Sequence, residues 1–266
     1  MNPEMNNVIQ AVLRWAHIVA GILWIGHLYF FNFVNGLVSK ALDAPTRKAL
    51  VPELMPRALY WFRWGAAWTW ITGLLLGGLI YYHGRIVFED PSSGNPWLWL
   101  AIVVAILIVG FLIYNVIMKS VKNVVAANAI SLLLLAGVYA LLEQVGKFSG
   151  RSLYLHVGLI LGTVMAFNVW MVIWPSQRKI ISAVAAGTPP DANLVALAGL
   201  RSRHNTYMSV PLVFLMISNH YPGMYAESAT SYPGLYRALC LVGVFALGFL
   251  VVRWLYGKSA KVTIAV

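Results

Sequence analysis

Long apolar runs broken by short polar connectors fill this chain from end to end. At about 20 residues per bilayer crossing, seven runs are long enough to be helical spans, near 10–38, 59–82, 97–118, 124–142, 152–174, 205–220 and 234–256. The pattern predicts an all-α fold: a polytopic membrane helix bundle of about seven transmembrane helices, forming a single integral membrane domain over 1–266. The first run is too long for a signal-peptide core and lacks a small-residue cleavage site, so it is expected to be retained as a helix.

The connectors differ in character. Residues 40–57 carry Asp43, Pro45, Pro52, Glu53 and Pro56 and read as a surface loop with one helical turn. The connector from Pro175 to His204 is the longest, with the loop signal AGTPPDAN in its middle. Its last part, Ala192 to Arg203, has the pattern of an amphipathic helix lying at the membrane surface. In the fifth run, Gly158, Gly162 and Ala166 make a small-residue stripe of the kind that lets two membrane helices approach closely.

Composition agrees with the pattern. Of 266 residues, 60% are hydrophobic and 10% charged, an excess of apolar surface that a water-soluble domain of this size would have to expose. A net charge of +11 in a soluble protein would suggest nucleic acid; here the basic residues sit between apolar runs and act as topology signals, so no nucleic-acid partner is expected. With the N-terminus outside and the C-terminus cytoplasmic, fourteen Lys and Arg fall inside and five (Arg14, Arg85, Lys147, Arg151, Arg237) outside. That bias favours this orientation and a multi-pass location in a bacterial inner membrane. Cys240 is the single cysteine, which excludes an intrachain disulfide and a C-x-x-C-H haem attachment.

The chemistry then rests on histidines. On this topology His17 and His156 each lie roughly 10 Å outward of their helix midpoints at 1.5 Å per residue. Two neutral imidazoles on different helices at one depth match the axial ligation of a b-type haem, with both as iron ligands. Arg14, one turn before His17, is placed to pair with a propionate. Gly21 and Trp24 share the His17 face, the glycine leaving room for a macrocycle edge. The competing reading is a hydrogen bond from each histidine to a neighbouring helix.

His27 is turned about 80° from His17 on an ideal helix, so it is a candidate for a second haem, a proton path or a carbonyl bond. His83 and His220 fall at span ends, with His220 a further candidate ligand beside Asn219 and Tyr221. Arg201, Arg203, His204 and Asn205 form the one anion-friendly cluster, set against ordinary anchoring by basic residues. Trp61, Trp64 and Trp68 recur at helical spacing as a cofactor wall or an interface belt. No nucleotide, hydrolase or zinc-protease motif occurs.

The stretches LHVGLILGTVMAFNVWMVIWPSQRKI from Leu155 and SRHNTYMSVPLVFLMISNHYP from Ser202 resemble the membrane-embedded N-terminal domain of bacterial cytochrome c-linked urate oxidase. LRWAHIVAGILWIGHLYFF from Leu13 and WFRWGAAWTWITG from Trp61 look similar to that family's first two spans. The resemblance implies a helical membrane oxidoreductase domain that passes electrons to a cytochrome c, with urate as the candidate substrate; joined to the histidine spacing, it gives the expectation of a haem b protein exchanging electrons with a separate cytochrome c or partner subunit. His17, His156, His204, Asn205 and His220 fall on the matching motifs, as do Asn168, Pro175, Gln177 and Arg178.

The chain departs from the urate-oxidising pattern in three places. GLVSKALDAPTRKAL stands where such members carry a glycine-rich VHGGGFY-like stretch, Gly65 where an acid is more common, and His27 where a small residue is found. The alternative is a non-catalytic accessory subunit of a larger membrane complex, of the respiratory or copper monooxygenase type. Whether the chain is an enzyme stays open at this point.

Overall fold

The structure, a computed structural model, describes residues 2–225 and 232–262. Among the described residues the chain forms seven continuous helices and no strand. They are α1 (Pro3–Ala41), α2 (Ala44–Gly77, prolonged by a π turn over Gly78–His83), α3 (Pro96–Ser120), α4 (Val124–Val145), α5 (Gly150–Ala186), α6 (Ala192–Ile217) and α7 (Pro233–Ser259). Five of them, α1, α3, α4, α5 and α7, are long and apolar enough to cross a bilayer. In α2 and α6 the apolar character is diluted by Pro52, Pro56, Arg57 and Arg63, and by Arg201, Arg203, Asn205 and Pro211.

Burial departs from that of a water-soluble protein in its polar interior groups and in the number of large apolar side chains on the surface. Ser152, Thr163, Asn168, Asn205, Thr206 and Ser209 are buried, while Trp15, Ile22, Val125, Leu133, Val242 and Leu247 are exposed. Only a hydrocarbon solvent makes this arrangement favourable, because polar groups then find their hydrogen-bond partners inside the protein. The chain is a membrane protein by that pattern as well as by helix length.

Two connector expectations are corrected. Residues 44–57 are helical, not a loop. Asp43 caps the helix, its Oδ1 accepting from the Thr46 N–H at 3.1 Å, and Pro45 lies in the first turn, where its missing N–H costs nothing. Pro52 and Pro56 are carried inside α2. The segment after Pro175 is also helical, to Ala186, where Gly187 closes the helix in the left-handed region with φ 74°. The π turn Val169–Ile173 immediately precedes Pro175. Its widened register relieves the clash that a proline ring makes with the preceding turn of a regular helix. The loop is thereby reduced to residues 187–191.

The chain divides into two compact units. The first comprises Met1–Leu13, Gly73–Val164 and Pro211–Phe245. Within it, Asn95 and Asn123 cap α3 and α4 through their side-chain oxygens. Glu143 and Arg237 form an ion pair at 3.0 Å that is almost wholly buried. The expected close approach at Gly158 occurs against α6: a Cβ there would lie 3.2 Å from Leu215 Cβ and closer still to Met216 Cε.

The second unit comprises Arg14–Thr72, Met165–Val210 and Ala246–Val266. Its α1 and α2 segments meet at Gly65, where a Cβ would stand 2.9 Å from the Trp24 backbone nitrogen and 3.2 Å from the Ala20 carbonyl oxygen. An acid at this position would not fit the seam. Polar side chains join its other helices: Asn32 donates to Ser202 at 2.8 Å and accepts from Tyr256 at 2.9 Å, and Asn168 donates to Asn205 at 2.9 Å.

Candidate functional site

In the second unit His17 is half-buried, with Nδ1 at 3.1 Å from Thr72 Oγ1. The Thr72 hydroxyl has one proton and gives it to the Trp68 carbonyl at 2.6 Å. Thr72 therefore accepts, His17 carries its proton on Nδ1, and the lone pair is on Nε2. That nitrogen makes no hydrogen bond to a described residue. The rest of the predicted face meets α2: a Cβ on Gly21 would lie 3.9 Å from Thr69, and Trp24 is buried with its indole N–H unpartnered among the described residues. Arg14 is exposed.

His27, also in this unit, places Nδ1 at 2.7 Å from the Leu23 carbonyl, which can only accept. It too holds its proton on Nδ1 and its lone pair on Nε2. The carbonyl bond, one of the three readings offered for this residue, is present.

Beside the seam, α1 and α2 enclose an open groove of about 560 Å³, lined by Trp15, Val19, Leu23, Trp61, Trp64, Trp68 and Thr72. Its size is that of a ligand pocket. The tryptophan stripe read from the sequence makes one wall, and Thr72, which fixes the His17 tautomer, lies at its edge.

The first unit holds His156 in a different setting. The ring is 2% exposed and enclosed edge-on by Tyr81, Tyr82 and Phe148, with centroids at 6.1, 5.7 and 4.9 Å. Nδ1 lies 2.7 Å from the Ser152 carbonyl, so it is the protonated nitrogen, and Nε2 accepts from the Tyr82 hydroxyl at 2.7 Å. A polar cluster adjoins it: Asn219 Oδ1 accepts from Tyr81 at 2.9 Å and from Arg151 Nε at 2.8 Å.

Sequence reasoning did not find Tyr81, Tyr82 or Arg151. Tyr81 and Tyr82 are adjacent, lie in the π turn over Gly78–His83, and are both buried. The only available signal was the run IYYH at the end of the second span. His83 and His220 are both exposed, and it is Asn219, not His220, that turns toward Tyr81.

The anion-friendly cluster is divided by the helix on which it sits. Arg201, His204 and Asn205 are buried and Arg203 is exposed. Asn205 is engaged in joining α6 to α5, since its Nδ2 donates to the Met165 carbonyl at 2.9 Å and its Oδ1 accepts from Asn168.

No group of three or more His, Cys, Asp or Glu occurs among the described residues. The donor set instead consists of separate imidazoles, each with Nδ1–H held by the protein and a lone pair on Nε2. Metal-ligating histidines are oriented in this way, and isolated imidazoles suit a macrocycle that brings its own equatorial nitrogens. At His17 the residues fit such a group directly. At His156 the lone pair is taken by the Tyr82 hydroxyl and the ring is enclosed by Tyr81, Tyr82 and Phe148, so Nε2 is presented to such a group only if these side chains move.

Comparison with curated proteins and with solved structures finds no match. A family model described as urate oxidase N-terminal matches residues 42–265, which includes His156 and the α6 cluster and begins after α1 with its His17 and His27. With most of its length matched, the chain belongs to the urate oxidase N-terminal family.

Proposed function

We propose that this protein is a membrane redox domain that holds haem b, with His17 and His156 each a candidate iron ligand in its own unit, and exchanges electrons with a separate cytochrome c or a partner subunit. On this reading all seven helices cross a bacterial inner membrane, with the N-terminus outside and the C-terminus in the cytoplasm. The observation that carries the reading is the shared state of the two imidazoles, protonated at Nδ1 by fixed acceptors and basic at Nε2.

Haem, when bound, supplies a one-electron couple. The protein's own residues set its surroundings. Thr72 and the Ser152 carbonyl fix the two ring orientations, and Tyr82 competes for the His156 lone pair. Urate, the substrate suggested by the family, is an anion. The basic side chains for it are Arg201, Arg203 and His204, with Asn205 already engaged between helices.

The test is an oxidised and dithionite-reduced visible spectrum of the purified chain, with a pyridine haemochrome assay on the same sample. A sharp reduced α-band and a b-type haemochrome are expected, after which urate is added as reductant. A featureless spectrum from cells that make haem would overturn the reading and favour the accessory subunit.

A further inference from the structure

In the second unit Arg63 is a cation set among aromatic rings. It lies four residues inside the apolar run that begins at 59, and its guanidinium stands 4.1 Å from the centre of the Trp174 ring, 5.7 Å from Trp170 and 5.8 Å from Tyr60. The Trp170 indole N–H donates to the Arg63 carbonyl at 2.9 Å, which fixes the backbone beneath the cage. From α5, one turn past Trp174, Arg178 brings a second guanidinium to 5.9 Å from the same ring.

Aromatic faces attract cations but accept none of their N–H groups in good hydrogen-bond geometry. Arg63 Nε is buried and unpartnered among the described residues. The described ion pairs, Arg57–Glu53 and Arg237–Glu143, involve neither Arg63 nor Arg178. A guanidinium has five donors in a fork that matches phosphate. Leaving the buried Nε–H unanswered is costly.

Trp174 ends the apolar run of α5 and Arg63 lies near the start of that of α2. The pair of guanidiniums thus sits where an apolar span gives way to polar chain, the depth at which lipid phosphates lie.

We propose that Arg63 and Arg178, gathered on Trp174, bind the phosphate of an anionic phospholipid headgroup. The tryptophan holds the two cations at one place against their mutual repulsion, and the phosphate supplies the acceptors that the protein does not. The site is independent of haem.

The experiment is thermal denaturation of the full chain in neutral detergent, titrated with phosphatidylglycerol, phosphatidylcholine or inorganic phosphate. Phosphatidylglycerol is expected to raise Tm saturably, and the other two are not. R178Q, at an exposed position, should keep its fold and bind about tenfold more weakly, while R63K keeps the charge but loses the fork and much of the shift. An equal shift with phosphatidylcholine, or a full shift in R178Q and R63K, overturns the site. A full shift with inorganic phosphate alone overturns the lipid assignment in favour of a free anion.

Discussion

His156 in the first unit and His17 in the second carry the same tautomer by different means. His156 is closed on every side, its proton held by a carbonyl and its lone pair by a tyrosine hydroxyl. His17 is closed on one side only, with Thr72 at Nδ1 and no described partner at Nε2. A saturated imidazole stabilises its surroundings whether or not a ligand is bound. A half-satisfied one offers a lone pair to something from outside, so stability and ligand binding should separate between the two sites.

The largest effect expected is from H156A. It removes a buried ring and leaves Tyr82 without its acceptor, a loss of about 3 kcal/mol from cavity and hydrogen bond together. H17A gives up one hydrogen bond at a half-buried site, about 1 kcal/mol. Thermal melts should rank the two in that order, while both variants should lose the haem spectrum. Two variants with intact spectra would remove both histidines from the ligand set.

Glycine seams extend the comparison. G65A drives a methyl group against the α1 backbone at Trp24, which cannot yield without moving a helix, and should cost about 1–3 kcal/mol. G158A in the first unit meets chiefly the flexible end of Met216, so it should cost less. If both melt alike, the seams are equally soft and the α1–α2 contact does not fix the groove wall. A smaller effect is expected from Y82F, about 1 kcal/mol in haem-free protein. Its haem spectrum should be unchanged, because the hydroxyl leaves Nε2 when a ligand takes it. A spectrum lost in Y82F would show that the phenol is part of the haem site.

The contrast between the two histidines could be only half read in the sequence. Their helices and the Gly158 stripe follow from apolar run length and residue spacing, since these depend on neighbours along one helix. Tyr82, the partner of His156, lies in a π turn, and nothing in IYYH distinguishes a widened turn from a regular one. Thr72 as partner of His17 is a contact between helices, 55 positions apart, that a single sequence does not specify. The helix over 44–57 was legible in principle. Asp43 followed by Pro45 is a start signal, but Pro52 and Pro56 argue for a break more strongly than a cap argues for continuation.

That start signal gives the smallest effect, and it too has a counterpart in the other unit. The Asp43 carboxyl is held below its usual range first by the Thr46 side chain and then by the Thr46 backbone N–H. Asp90, in the loop between α2 and α3, is lowered by the backbone and side chain of Ser92. A carboxyl whose pKa is depressed in the folded state stabilises it above the ordinary carboxylate range, and the contribution disappears as pH falls through the depressed value. Acidification from neutral to below the ordinary carboxylate range should therefore lower the amide protection factors, taken against the intrinsic exchange rate at each pH, at Thr46 and Ser92 before the helices change. Each site is exposed, so the loss should stay local. D43N should remove most of the pH dependence at Thr46 and leave that at Ser92 intact, because Asp43 caps a helix while Asp90 only closes a turn. Equal protection factors at both pH values would mean that α2 does not depend on the Asp43 cap and that its first turn is held by packing instead.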